Sequence, residues 1–487
     1  VTLLRRARLG AGLVDVRLEN GRISDIRPAG GAADAADARS DVIDLDGRWL
    51  LPGLWDHHAH LTQLALTLRR VDLSGVASAA EAARVMGASL AANPPERGLP
   101  LVGAAFRDGL WPDVPTVELL DAATGDTPTV LVSGDLHTTW LNSAALVTYG
   151  FAGHPTGVLV EDDAFAVTSA LQNVPESTLD GWLQDAAILA AGRGVVGVVE
   201  LEMAANVDTW RRRYADGFDG LRIQVGIYTP YLEAALAAGL RTGDALDDEG
   251  LLTVGPFKIL TDGSLNTRTA YCVDPYPGTA ERGMLTVTTD ELLPLLRAAV
   301  GGGIAPAVHA IGDEAVRLVL DAFTMLDGSP LPAGTRMEHA QLVRTEDFSR
   351  FAALGVAASV QPEHAMDDRD VADRYWAGRT DRSFALRSLL DAGAELLLGS
   401  DAPVAPLDPW TTLSAAVTRA RDGREPWHPE QAITVDEGIA ASAHSVVAVG
   451  EVADLIAVDR DPHVPGNLAG MPVALTLLAG RATHSTL

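Results

Sequence analysis

Lysine is almost absent from this chain of 487 residues: position 258 carries the only one, and every other member of the 37 lysines and arginines is arginine. Positive charge as a whole is scarce. Sixty-five Asp and Glu residues bring the formal net charge to -28 at pH 7, which argues against nucleic acid or an anionic membrane surface as a partner, since both need clustered cations. A solvated acidic exterior is the expected consequence. Cysteine occurs once, at Cys272, so no internal disulfide can form and a cytoplasmic setting is expected. No apolar run reaches the length of a membrane span, and the first residues lack the continuous apolar segment of a secretion signal, so no membrane association is expected.

What is present is apolar residue in quantity, 47% of the chain. That supports a sizeable core, and the length suits a large barrel with an accessory domain. Residues 1–50 read as short strands and turns: Val14 to Leu18 alternates, Glu19-Asn20-Gly21-Arg22 turns, and Ile23 to Ile26 resumes, a hairpin pattern. Residues 446–487 offer similar pieces at Ala453 to Val458 and Val473 to Leu478, so the two ends are expected to share one small composite β-domain, a sandwich. Between them, 51–445 is expected to form the main domain, with an insertion near 75–180. Ser78-Ala79-Ala80-Glu81 has the spacing of a capping box and predicts a helix to about Leu90. Later, apolar runs of strand length alternate with helical patterns, as a parallel (β/α)8 barrel requires. Most of these runs end in a polar residue, and such strand ends meet on one face of a barrel, where its chemistry sits.

The lone lysine lies inside Val254-Gly255-Pro256-Phe257-Lys258-Ile259-Leu260-Thr261-Asp262-Gly263. Val254, Phe257, Ile259 and Leu260 mark a buried strand, where an unpaired ammonium is costly. Arginine would stay charged there; a desolvated lysine can lose its proton and become a nucleophile or a carbamate precursor. A second signal is Leu51-Pro52-Gly53-Leu54-Trp55-Asp56-His57-His58-Ala59-His60. Strand alternation puts His58 and His60 on one face, so one metal ion can take both, although chance or core packing also produces such pairs. Further strand-end candidates are Lys258, His309, His339 and Asp401, whose N and O donors suit zinc or a similar divalent ion.

In this order the residues resemble the amidohydrolase superfamily, and within it the amidohydrolase family 3 branch that includes N-substituted formamide deformylases. The motifs are LPGLWDHHAH from Leu51, GDLHTTWLNSAAL from Gly134, FKILTDGS from Phe257, HAIGDEAV from His309, MEHAQ from Met337 and LGSDAPV from Leu398. The resemblance implies an α/β fold, a TIM-like metallo-hydrolase barrel with a small composite β-domain. It further implies that His58 and His60 hold one metal and His309 and His339 a second, that Lys258 bridges them as a carbamate derived from carbon dioxide, and that Asp401 completes the first site and shuttles protons. Two such cations lower the pKa of a water held between them and polarise a carbonyl.

The substrate implied is a small molecule with a non-peptide C–N bond, an N-substituted amide or formamide. A cyclic-amide hydrolase, a deaminase or a catalytically silent barrel are the alternatives; Lys258 weighs against the deaminase. His137, Trp140 and Asn142 lie in a family-like motif and are expected to line the substrate pocket, with a structural role open for His137. Gln361 and His364 follow a strand where a loop would reach the pocket. Asp262 and Arg268 follow Lys258 and are expected to position substrate, a turn role being open for Asp262-Gly263. Glu200 ends a strand at a place where related sequences often carry aspartate. Self-association into a homo-oligomer is left open by the sequence.

Overall fold

The computed structural model describes residues 1–30, 40–108, 111–134, 138–326 and 330–487. They fall into two compact units, one made of Val1–Leu61 with Gln184–Leu487 and one made of Thr62–Leu183.

The larger unit contains a parallel barrel. Its strands are β1 (Leu54–Ala59), β2 (Val195–Glu200), β3 (Arg222–Tyr228), β4 (Leu252–Leu260), β5 (Pro306–Ala310), β6 (Arg336–His339), β7 (Ala357–Val360) and β8 (Leu396–Leu398), each hydrogen-bonded to the next in chain order. Between β8 and β1 the contact is carried by Asp401 N donating to His58 O at 2.7 Å and His60 N donating to Ala402 O at 2.8 Å. That closure places the polar ends of the first and last strands side by side. β2 is buried throughout, β1 and β5 likewise, as expected of strands covered on both faces. Outside the barrel, the helices Thr289–Gly302, Asp313–Thr324 and Phe348–Leu354 pack on the strands through Leu296, Val316, Val319, Leu320, Phe323 and Phe351.

The same unit carries a second sheet built from both ends of the chain. The hairpin expected around Glu19 to Arg22 is present, Gly12–Glu19 pairing antiparallel with Arg22–Pro28. The strand Trp49–Pro52 runs against Leu455–Val458, Leu455 facing Pro52 and Val458 facing Trp49. Leu4, Val16, Ile23, Leu50, Leu455 and Leu475 bury one another there in a separate core.

The smaller unit holds a five-stranded sheet in the order Val158–Val160, Thr138–Leu141, Thr129–Ser133, Leu101–Phe106, Val71–Asp72. The N-cap half of the expected capping box opens its helix Ala79–Ala92: the Ser78 hydroxyl accepts from Glu81 N at 3.1 Å. Glu81 reaches back to Ala77 N at 2.9 Å, one residue before the cap.

Candidate metal centre

Strand alternation puts Asp56 and His58 on the same side of β1, and the barrel interior receives both. His58 is 1% exposed. Its Nδ1 lies 2.7 Å from Glu338 Oε2 and its Nε2 3.4 Å from Asp401 Oδ1. The carboxylate accepts a hydrogen bond from Nδ1–H and so fixes the tautomer that leaves Nε2 free as a donor of electrons. His60 Nε2 reaches the same Asp401 oxygen at 3.2 Å. His58, His60 and Asp401 thus offer three ligand atoms within 4.8 Å of one another, a group that could hold one metal ion.

His339 ends β6 with its ring 4.5 Å from the ring of His309 and 4.9 Å from that of His58. Its Nδ1 is held by Gln361 Oε1 at 2.8 Å, a second fixed tautomer. Glu338 and His339 are consecutive, and a regular strand would send them to opposite faces. His339 instead has φ +72, as Asp401 has φ +58. This left-handed turn, uncommon for either residue, lets neighbouring side chains serve one pocket, and such conformations concentrate at functional sites.

Lys258 sits on β4, 2% exposed, and its Nζ has no hydrogen-bond partner. Burial lowers its pKa to about 8, against the pull of Glu338 and Asp401. Its charge in turn acts on His58 and His339. Burial first, with Lys258 acting in the same direction, keeps both imidazoles well below their usual pKa and therefore neutral. For Asp401 burial opposes ionisation, yet His58, the bond from His60 and His364 hold its carboxyl well below the ordinary range. Glu338 is fully buried and likewise stays ionised: burial raises its pKa, and Arg336 with Lys258 more than offsets that. The Arg336 Nε lies 2.7 Å from Glu338 Oε1.

Of the remaining candidates, His364 comes closest to the centre. Its Nε2 lies 3.8 Å from Asp401 Oδ2, and His339, His364 and Asp401 form a second group of three ligand atoms within 4.8 Å. His364 was expected to touch substrate; the geometry makes it a ligand candidate as well. His309 Nε2 faces Asp262 Oδ1 at 3.3 Å. Asp262 accepts from the backbone N–H of Ile311, Gly312 and Tyr271 at 3.0, 2.9 and 2.9 Å, so it ties the β4 and β5 loops together. Arg268 is on the exposed loop after β4, its guanidinium 5.7 Å from the Tyr375 ring centroid.

Trp140 and Asn142 require a correction. Both are fully buried within the smaller unit. Trp140 Nε1 donates to Thr116 O, and the Asn142 amide donates to Thr124, Gly125 and Thr127 while its oxygen caps the helix Ser143–Thr148. With every polar atom spent and no exposed surface, they hold local structure and present nothing to a ligand. His137 lies outside the described residues.

Glu338 was not singled out from the sequence, nor was Asp56. The signal that exposed Lys258, a charge in an apolar strand, was also available at Arg336-Met337-Glu338. Asp56 accepts from His58 N and Ser400 N at 3.0 and 3.1 Å, and burial raises its pKa to about 6. Burial also raises Glu200, which accepts from Leu61 N and Glu202 N, to about 7.

The donor set suits divalent ions: neutral imidazole nitrogens, an ionised carboxylate, and His364 Nε2 and Lys258 Nζ buried without hydrogen-bond partners. Residues 41–483 match the model of the family described as "Amidohydrolase family". The chain belongs to that family. This amidohydrolase is 26% identical to the N-substituted formamide deformylase of Arthrobacter pascens, over 96% of the chain and 94% of that protein. It is also 26% identical to the putative amidohydrolase YtcJ of Bacillus subtilis (strain 168), over 91% of the chain and 90% of the relative. In fold the amidohydrolase is similar to an uncharacterized metal-dependent hydrolase from Pyrococcus furiosus, with a TM-score of 0.77 at 24% identity, covering 95% of this chain and 99% of the other. It is a hydrolase with a divalent-metal site on a TIM-like barrel. Among the described residues no helix is long and apolar enough to cross a membrane.

Proposed function

We propose that this amidohydrolase cleaves the C–N bond of a small N-substituted amide or formamide outside polypeptides, using two divalent ions. The observation that carries the reading is Lys258, the single lysine of the chain, buried with an unpartnered Nζ beside Glu338, Asp401, His58 and His339. A pKa of about 8 leaves an appreciable neutral fraction near neutral pH, and a neutral amine can add carbon dioxide. The resulting anion would offer one oxygen to each of two cations, which arginine could not do. His58, His60 and Asp401 would hold one ion and His309 and His339 the other, zinc being the first choice for these donors.

When bound, the ions supply Lewis acidity, lowering the pKa of water and polarising a substrate carbonyl. The chain does the rest. Glu338 and Gln361 hold His58 and His339 each in one tautomer. Asp401, ionised and within reach of His58 and His60, accepts a proton at its carboxylate and returns it to the leaving nitrogen. The three bonds to Asp262 fix the loop beside His309.

A specific observation favours a variant of the second position, because His364, not His309, groups with His339 and Asp401. Metal analysis of His309→Ala and His364→Ala separates the two: the true ligand loses one ion per chain and the other does not. For the reaction, a screen of N-formyl and N-acyl amines is expected to release the free amine and the acid. Ammonia release from amino-heterocycles, with every amide untouched, would replace this reading by deamination.

A further inference from the structure

The smaller unit contains a cavity of about 590 Å³, in the range that holds small organic ligands. It lies where the strands Val71–Asp72 and Leu101–Phe106 begin, beside the C-terminal end of the helix Ala79–Ala92. Leu66, Leu99, Leu171 and Val174 supply apolar wall. Polar side chains line the rest, and two of them are unspent. Arg70 lines the cavity, and among the described residues no carboxylate, carbonyl or ring engages its guanidinium; burial alone acts on its pKa, lowering it. Tyr149 lines it too, half-buried, with its hydroxyl free of any hydrogen bond among those residues. The other charges are occupied: Arg69 lies 5.3 Å from the Trp182 ring centroid, and Glu96 accepts from Trp182 Nε1 at 2.9 Å.

A half-desolvated guanidinium without a counter-charge is costly in a chain with 65 acidic residues to choose from. We propose that the cavity binds a small monocarboxylate with an apolar body, its carboxylate taken by the Arg70 guanidinium and the Tyr149 hydroxyl. A guanidinium fork matches a carboxylate with two parallel bonds. Phosphate fits less well, because a dianion needs more donors than these two and Glu96 lines the same cavity. The helix C-terminus nearby adds acceptors, not donors.

Isothermal titration of the metal-loaded enzyme with hexanoate, hexan-1-ol and inorganic phosphate tests this. Hexanoate is expected to bind saturably, with hexan-1-ol and phosphate each roughly tenfold weaker or more, the loss typical of a charge-assisted bond. Arg70→Gln should lose hexanoate affinity by roughly tenfold at an unchanged melting temperature, whereas Lys258→Ala should keep it, since the cavity is not the metal centre. If Arg70→Gln fails to fold, the acid against alcohol comparison on the unaltered enzyme decides alone. Equal binding of acid and alcohol, no saturable binding of hexanoate, tighter phosphate, or a loss in Lys258→Ala with none in Arg70→Gln would each overturn the proposal.

Discussion

Lys258 is the residue on which the proposed chemistry turns, and its burial gives it a measurable signature. Its pKa falls from 10.5 to about 8 on folding, so between those values the unfolded chain binds the extra proton. Stability then rises with pH across that window; the contribution is complete above the unfolded value and lost as pH falls through about 8. Relative to Lys258→Met, the metal-free enzyme in carbon-dioxide-free buffer should gain roughly 3 kcal/mol between pH 8 and pH 10.5, read from urea unfolding at several pH values. Parallel curves for the two proteins would contradict this. Glu338 offers a second check. Glu338→Gln keeps the shape but replaces the charge that accepts from His58 Nδ1, and a loss of about 10- to 100-fold in metal affinity is expected, measured by chelator competition.

Elements explain why some of the site was legible in the sequence and some was not. Strand alternation pairs His58 with His60, and strand ends supply Lys258, His309, His339 and Asp401, so periodicity and order sufficed to name these as candidates, though not Asp56. It could not place Glu338 and His339 together, because the left-handed backbone at His339 breaks the alternation. Nor could it show that Trp140 and Asn142 are spent on local bonds, since a family-like motif and a structural motif look alike in sequence. The closure of β8 on β1 depends on Gly399, where an added Cβ would sit 2.7 Å from His58 N and 3.0 Å from His58 Cβ. Gly399→Ala must therefore shift one strand, at a cost of about 1–3 kcal/mol, and should weaken metal binding through His58; an unchanged melting temperature and metal affinity would show that the strands can yield. In the smaller unit, Ser78→Ala removes the cap on Ala79–Ala92 and should cost about 1 kcal/mol in thermal or urea unfolding, without altering metal content.

At the scale of the molecule, the two ends of the chain meet in one sheet, as their similar strand patterns suggested, and the barrel follows from alternating strands and helices. The acidic surface, net charge -28, surrounds a centre where neutral histidines, a neutral fraction of Lys258 and an ionised Asp401 are held by burial and by one another. Such a centre is costly without its cations, so metal binding and folding should be coupled. The central claim is that Lys258 joins two ions. It is tested most directly by counting metals per chain in the unaltered enzyme and in Lys258→Ala, by elemental mass spectrometry after equilibration with zinc. The account predicts two ions in the first and no more than one in the second; equal counts in both would contradict it.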